Sequence, residues 1–318
     1  MITFIVRRAA TGLLVALMVS LAVFALAPLA GEDPSQSGAG AGQVLRLSKE
    51  EVDASRRRLG LDRPFFVRYG DWLSKAVQGN LGTSLFRGQK VSDAIADALP
   101  VTASIAALAL VLTVSIAVPL GVFAAVYPAS VVSRGILAAT AIGIASPSFA
   151  VGLLLVQVVS LELGWLPAVG FKPLGSGLAP WLKSILLPSA ALAIPAAAAL
   201  ARFARAAMLE VLQRDYVRTA IGKGLPRSTV IWKHALKNAL VPVVTVLGLE
   251  IRILLGGSVA VEAVFALPGL GSLALKSILE GDYPMLLGIV MIAVTVVVVV
   301  NMLVDMSYAL LNPKIRVL

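Results

Sequence analysis

Residues 284–304 read PMLLGIVMIAVTVVVVVNMLV, 21 consecutive positions without a charged side chain. At 1.5 Å of rise per residue such a helix covers about 31 Å, the thickness of a bilayer's hydrocarbon core, and in lipid it satisfies its own backbone groups. Working outward, comparable apolar stretches recur at 9–30, 101–127, 136–161, 184–201 and 239–261, and the six together occupy roughly 137 residues. The 318-residue chain is 58% hydrophobic and 14% charged, with mean hydropathy +0.92. A soluble domain carries about 25% charge, so this chain has too little polar surface to coat a globule. The expected fold class is all-α, a polytopic membrane protein with six transmembrane helices. No cysteine is present and there is one histidine, which excludes disulfides, thiolate metal sites, a cysteine nucleophile and a histidine cluster for zinc or haem.

The charge pattern orients these spans. If both termini are cytoplasmic, the inner segments hold thirteen basic residues (Arg7, Arg8, Arg134, eight between Arg202 and Lys237, Lys314 and Arg316) against Glu210 and Asp215, a net +11. The outer segments, 31–98, 162–183 and 262–283, hold thirteen basic and thirteen acidic residues and sum to zero. The formal net charge of +10 is therefore a positive-inside bias. No basic surface interleaved with aromatics points to nucleic acid. Arg7 and Arg8 ahead of an apolar run resemble a signal peptide, but 22 apolar residues exceed a normal signal core and Pro28 would follow the cut after Ala27, so the segment is expected to stay as an anchor.

Four sections follow along the chain: an N-terminal end with the first span (1–30), an external insertion (31–98), a core of five spans (99–311) and a short tail (312–318). Residues 31–43 have linker composition. Ser48 and Glu51 have capping-box spacing and open a short helix ending near Gly60; Asp62 and Pro64 open a second, Phe65 to about Val77, closed by Gly79. Helix breakers stand inside several spans: Pro119 with Gly121, Pro147 between two serines, Pro188, Pro195, Gly248, and Gly256 with Gly257. Such residues place their helices inside a bundle, and the small run Ala196 to Ala199 permits close approach.

The most informative loop lies between the fourth and fifth spans, 202–238. It is polar and helical in propensity: a helix continues through Asp215-Tyr216-Val217-Arg218-Thr219-Ala220, Gly224 ends it and Pro226 delays the next. A second helix is expected from Arg227 to Lys237, returning to the membrane at Pro242. Two short helices at a Gly-Leu-Pro corner make either a docking projection or a solvated hairpin attracted to anionic lipid.

Here the residues carry a resemblance. Asp215 to Ala220, Lys223-Gly224-Leu225, His234-Ala235-Leu236, Asn238-Ala239 and Pro242 resemble the EAA loop of permeases of oligopeptide and dipeptide ABC importers, with Arg218-Thr219-Ala220 standing where the general family writes Glu-Ala-Ala. The likeness continues through Leu59-Gly60-Leu61-Asp62, Gly79-Asn80-Leu81-Gly82 with Ser84, Gly257-Ser258-Val259 with Glu262, Phe265, Pro268-Gly269-Leu270-Gly271, Asp282-Tyr283-Pro284, Asn301, Asp305, Tyr308 and Asn312-Pro313-Lys314-Ile315-Arg316. It implies a type I ABC importer permease fold in the bacterial inner membrane, without catalytic activity of its own. It also implies half of a translocation path, completed by a second homologous permease, two ATPase subunits and an external solute-binding protein that delivers peptide. Asp215, Tyr216, Arg218, Thr219, Ala220, Lys223, Gly224, Leu225, His234 and Asn238 would couple the chain to an ATPase. ATP and Mg would be bound by those partners: the chain has no Gly-x-x-x-x-Gly-Lys-Ser/Thr loop, Val217 standing where the first glycine should precede Gly222-Lys223.

Glu250 and Arg252 interrupt the fifth span, and an intramembrane charge costs at least about 2.5–3.5 kcal/mol, so each should face protein or water. Two residues apart, they lie on different helix faces. They are candidates for the substrate path, or for pairing with the sister subunit. Asp305 is expected to pair locally, and Glu262 with Pro268 to Gly271 to shape an external re-entrant loop. Nickel-chelate or glutathione uptake on the same scaffold is the nearest alternative; a proton-coupled peptide carrier would need internal repeats and a buried proton relay, neither of which is evident.

Overall fold

The computed structural model describes residues 2–29 and 63–311. The expected linker over 31–43, the capping box at Ser48 and Glu51, the cap at Asp62 and the tail from Asn312 lie outside these residues, as do the side chains of Asp305 and Tyr308. The described chain is helical, with one isolated antiparallel bridge, Thr83 to Lys90. Among the described residues three helices are long and apolar enough to cross a membrane, α3 (Val91–Val126), α6 (Leu178–Leu212) and α11 (Tyr283–Leu311, by its stretch Tyr283–Leu303). Two bent pairs raise the number to as many as five. Helix α1 (Ile2–Leu29) is apolar over Ala10–Ala25.

Two compact units divide the chain. One comprises residues 1–100 and 269–299. In it α1 meets α2 (Phe65–Val77), which occupies the residues expected of it, with Gly79 beyond its end at φ +82°. Phe24 of α1 packs edge-on to Phe65 and Tyr69 at centroid distances of 5.5 and 5.6 Å. The Tyr69 hydroxyl lies 2.8 Å from the Ser20 hydroxyl. The Arg68 guanidinium sits 5.7 Å over the Phe24 ring, and partial burial lowers its pKa from the ordinary value.

Elsewhere in this unit, α10 (Leu270–Glu280) ends at Gly281, which takes the left-handed φ of +69°. Asp282 follows, 1% exposed, and accepts hydrogen bonds from the Ser84 hydroxyl and from the backbone N–H of Leu85 and Met285. Arg87 pairs with Glu280 at 3.1 Å. The two motifs Gly79 to Ser84 and Asp282 to Pro284, almost 200 residues apart, are thus one polar joint. Around it Val91, Ile95, Leu270, Met285 and Ile289 form an apolar cluster.

The second unit comprises residues 101–268 and 300–318. Helix α6 is its axis: α3, α4 (Val131–Ala145), α5 (Ser148–Leu155, prolonged as a π-helix over Val156–Glu162) and α9 (Leu236–Val264) all pack on it. Gly121 allows α3 to touch it, since a Cβ there would lie 2.7 Å from the Ala201 carbonyl oxygen. Glu262, fully buried, accepts a 2.7 Å hydrogen bond from Thr102 of α3. The α3, α4 and α6 faces also border an apolar cavity of about 540 Å³ lined by residues including Leu120, Gly135, Ala139, Ile194 and Ala197.

The expected breakers behave unequally. Helices α3 and α6 run unbroken through Pro119 and through Pro188 and Pro195; α9 carries Pro242 without a break but bends by 46° ahead of Gly256 and Gly257. In an apolar environment no water competes for the neighbouring backbone groups, so the rest of the ladder holds. Pro147 does break its helix: α4 and α5 meet at 107°, so residues 136–161 are not one straight span. Ser146 preceding it is extended, at φ −90° and ψ 120°, as a residue before proline prefers, and its hydroxyl caps the Ile142 carbonyl at 2.8 Å.

Candidate functional site

The loop 202–238 is built differently from its sequence expectation. Residues from Arg202 to Leu212 continue α6, and the break falls at Gln213-Arg214, where Arg214 turns extended with ψ 145°. Helix α7 (Asp215–Gly222) then starts afresh with Asp215 in its first turn, where a carboxylate complements the helix N-terminus. The restart has a packing cause. It lets Val217, Ala220 and Val230 bury together against Val211 and Leu212, with Val217 fully inaccessible. Each fully buried valine contributes about 1.5–3 kcal/mol, so α7 carries its own miniature core.

Gly224 ends this helix as expected. Its φ is +77°, and the space around its missing Cβ is open, so backbone conformation and not crowding demands glycine. The Leu225 N–H reaches back to the Ala220 carbonyl at 3.3 Å, and the Gly224 N–H to Ile221 at 2.9 Å. Pro226 is extended, and α8 (Arg227–Thr229) follows. No separate second helix ends at Lys237: α8 passes through a π-helical turn, Val230–Ala235, directly into α9. The loop is therefore one short helix held between the ends of two long ones.

The side chains proposed for coupling divide by exposure. Tyr216, Arg218, Thr219, Lys223, Leu225 and Asn238 are exposed, together with Ile221, while Ala220 is buried and His234 is half-buried. Asn238 Nδ2 donates to the Tyr216 hydroxyl at 2.9 Å and to the His234 carbonyl at 3.1 Å, joining residues 22 positions apart. Arg218 approaches Asp215 at 4.0 Å across an exposed turn, an ion pair of little energetic weight. The open face of α7 thus mixes apolar Tyr216 and Ile221 with basic Arg218 and Lys223.

Two arginines that the sequence reading counted only as charge fasten this loop to the end of α3. Arg205 Nε donates to the Ala124 carbonyl at 3.3 Å. An Arg227 guanidinium nitrogen donates to the Val126 carbonyl at 3.3 Å, and its centre stands 5.3 Å over the Tyr127 ring. Their partners are backbone carbonyls 81 and 101 residues away, a relation no local motif encodes. Glu250 and Arg252 are not brought together: Glu250 is 7% exposed and Arg252 lies open on the other side of α9, near exposed Leu249 and Ile253.

Comparison with known proteins agrees with this architecture. Residues 117–317 match the model of the family described as binding-protein-dependent transport system inner membrane component, and residues 1–106 match its N-terminal companion. A putative peptide transport system permease protein of Brucella abortus is 40% identical over 316 residues, covering 99% of both chains. A glutathione transport system permease protein of Escherichia coli is 36% identical, again with 99% of both covered. Among solved structures, a chain of the MetNI methionine ABC transporter in inward-facing form aligns with a TM-score of 0.55 at 16% identity, covering 69% of this chain and 96% of that one; this likeness concerns the fold. The chain belongs to the family of binding-protein-dependent transport system inner membrane components, the membrane-spanning permease subunits of ABC importers.

Proposed function

We propose that this permease forms half of the translocation path of an ATP-driven importer of oligopeptides or dipeptides, and that α7 is the lever through which one of two partner ATPases drives it. Six spans with cytoplasmic termini, a second homologous permease and an external solute-binding protein belong to the same reading. The observation that carries it is the build of the loop: Val217, Ala220 and Val230 lock α7 to the ends of α6 and α9, while its open face offers Tyr216, Arg218, Ile221 and Lys223. A helix seated this way moves as a rigid body with the elements it is packed on, so closure of a motor subunit on its open face is transmitted into the bundle. The exposed Leu249, Arg252 and Ile253 face of α9 is suited to the sister subunit or the path.

Replacing Gly224 tests the lever. At φ +77° a β-branched residue costs on the order of 1–2 kcal/mol, and proline cannot adopt the angle. In proteoliposomes holding the assembled transporter, Gly224→Val and Gly224→Pro are expected to keep ATP hydrolysis while peptide uptake per ATP falls at least several-fold. Unchanged uptake per ATP in both variants refutes the lever.

Glutathione uptake is the second reading, favoured by the Escherichia coli relative. Competition decides between them: excess glutathione abolishes uptake of a labelled tripeptide only if that relative's substrate is shared.

A further inference from the structure

Helix α2 carries two parallel apolar stripes. Phe65, Tyr69, Trp72 and Ala76, spaced i, i+4, i+7 and i+11, form the first, and its aromatic residues dock on Phe24 of α1. Phe66, Gly70, Leu73 and Val77 repeat that spacing one residue later, about 100° around the helix. This second stripe stands open: Phe66 is 75% and Val77 82% exposed, Gly70 is exposed and Leu73 half-buried. Val67, Asp71, Ser74 and Lys75, all exposed, and half-buried Arg68 fill the remaining, mainly polar arc, with Asp71 paired to Arg63 at 3.1 Å.

Contacts with α1 set the depth of this helix. The apolar run of α1 extends to residue 30. Phe24 therefore lies about 9 Å, and Ser20 about 15 Å, inside its end. Half of a hydrocarbon core is also about 15 Å. Because Phe24 meets Phe65, Tyr69 and Trp72, and Ser20 meets the Tyr69 hydroxyl, α2 lies within the outer half of the layer that α1 crosses. A stripe at that level, turned about 100° from α1, faces acyl chains, while the polar arc turns to the headgroups. Arg68 is accommodated at that level by its guanidinium resting over the Phe24 ring face, 5.7 Å from the centroid.

We infer that α2 is an interfacial helix, with Phe66, Leu73 and Val77 immersed in the acyl chains of the outer leaflet, so that the bilayer surface itself is the partner of this face. The inference rests on α1 being a span, as the proposed topology has it. Its effect is to pin the outer end of α1 at a fixed height, with Arg63 and Lys75 at the level of lipid phosphates.

The absence of native cysteine makes any introduced thiol unique within this chain, which is assembled with partner subunits freed of cysteine. Nitroxide labels at Phe66→Cys, Val77→Cys, Asp71→Cys, Ser74→Cys and, in α1, Leu14→Cys are read in the assembled transporter in phosphatidylglycerol and phosphatidylethanolamine liposomes. Relaxation by oxygen, which concentrates in acyl chains, is compared with relaxation by a water-soluble chromium chelate. Labels at 66 and 77 are expected to favour oxygen several-fold and labels at 71 and 74 to favour the chelate, with position 14 shielded from the chelate. Chelate access at 66 and 77 overturns the inference in favour of a solvent-facing helix. Shielding of both from both relaxants overturns it in favour of a covering protein segment. Chelate access at 14 instead fails the span on which it rests.

Discussion

Asp282 shows how much one side chain can hold in a protein that is mostly apolar. Buried to 1% exposure, it accepts from Ser84 and from two backbone amides, and Ser84 in turn accepts from the Arg87 N–H at 3.0 Å. Hydrogen bonds to a charged group contribute about 1.5–3 kcal/mol, and stranded donors add a desolvation penalty. Asp282→Ala is therefore expected to lower stability by about 2–3 kcal/mol and Asp282→Asn by less, since the amide keeps one acceptor. Thermal unfolding in detergent measures both; an alanine variant as stable as the parent contradicts the joint. The sequence marks Asp282 and Ser84 as family residues but does not pair them, because their meeting depends on folding across almost 200 positions. The conformation at Gly224 is different. Its left-handed turn follows from a glycine before Leu-Pro at the end of a polar helix, which is local information.

Among the elements, long apolar helices are the most legible and their interruptions the least. Composition locates α3, α6 and α11, because nothing else can shield so many consecutive apolar residues. Prolines do not tell in advance which helix breaks. Pro119, Pro188, Pro195 and Pro242 are carried within helices, and only the Ser146-Pro147 pair yields a 107° corner. The difference lies partly in the serine hydroxyl that satisfies Ile142. Similarly, Gly121 and Gly135 look alike in sequence. A Cβ at Gly121 would meet the Ala201 carbonyl at 2.7 Å and the Arg205 nitrogen at 3.0 Å, whereas Gly135 has open space. Overpacking costs about 1–3 kcal/mol, and glycine in an open helix position forfeits about 0.8–1.0 kcal/mol relative to alanine. Gly121→Ala should thus lower the unfolding midpoint and Gly135→Ala should raise or preserve it; equal effects would show that α3 and α6 do not approach closely at Gly121.

For the molecule as a whole, the charge pattern is the sequence's strongest statement about orientation. Basic residues crowd the segments expected inside, and the outer segments balance to zero. Single-cysteine variants at Lys75 and Lys223, treated in intact cells with a membrane-impermeant maleimide, check this: position 75 should react and position 223 only after permeabilisation. Reaction at 223 in sealed cells inverts the topology. What composition cannot reach is the way the loop is fastened, since Arg205 and Arg227 bind carbonyls at the far end of α3. The miniature core of Val217, Ala220 and Val230 has a further consequence, for biogenesis. Because α7 is shaped by its own chain's contacts, its open face is complete once the permease has folded, and in the proposed role a late-arriving motor would not need to mould it. If α7 is the proposed lever, little ordering entropy would oppose assembly, and a permease could wait in the bilayer, fully formed, for the ATPase that docks on it.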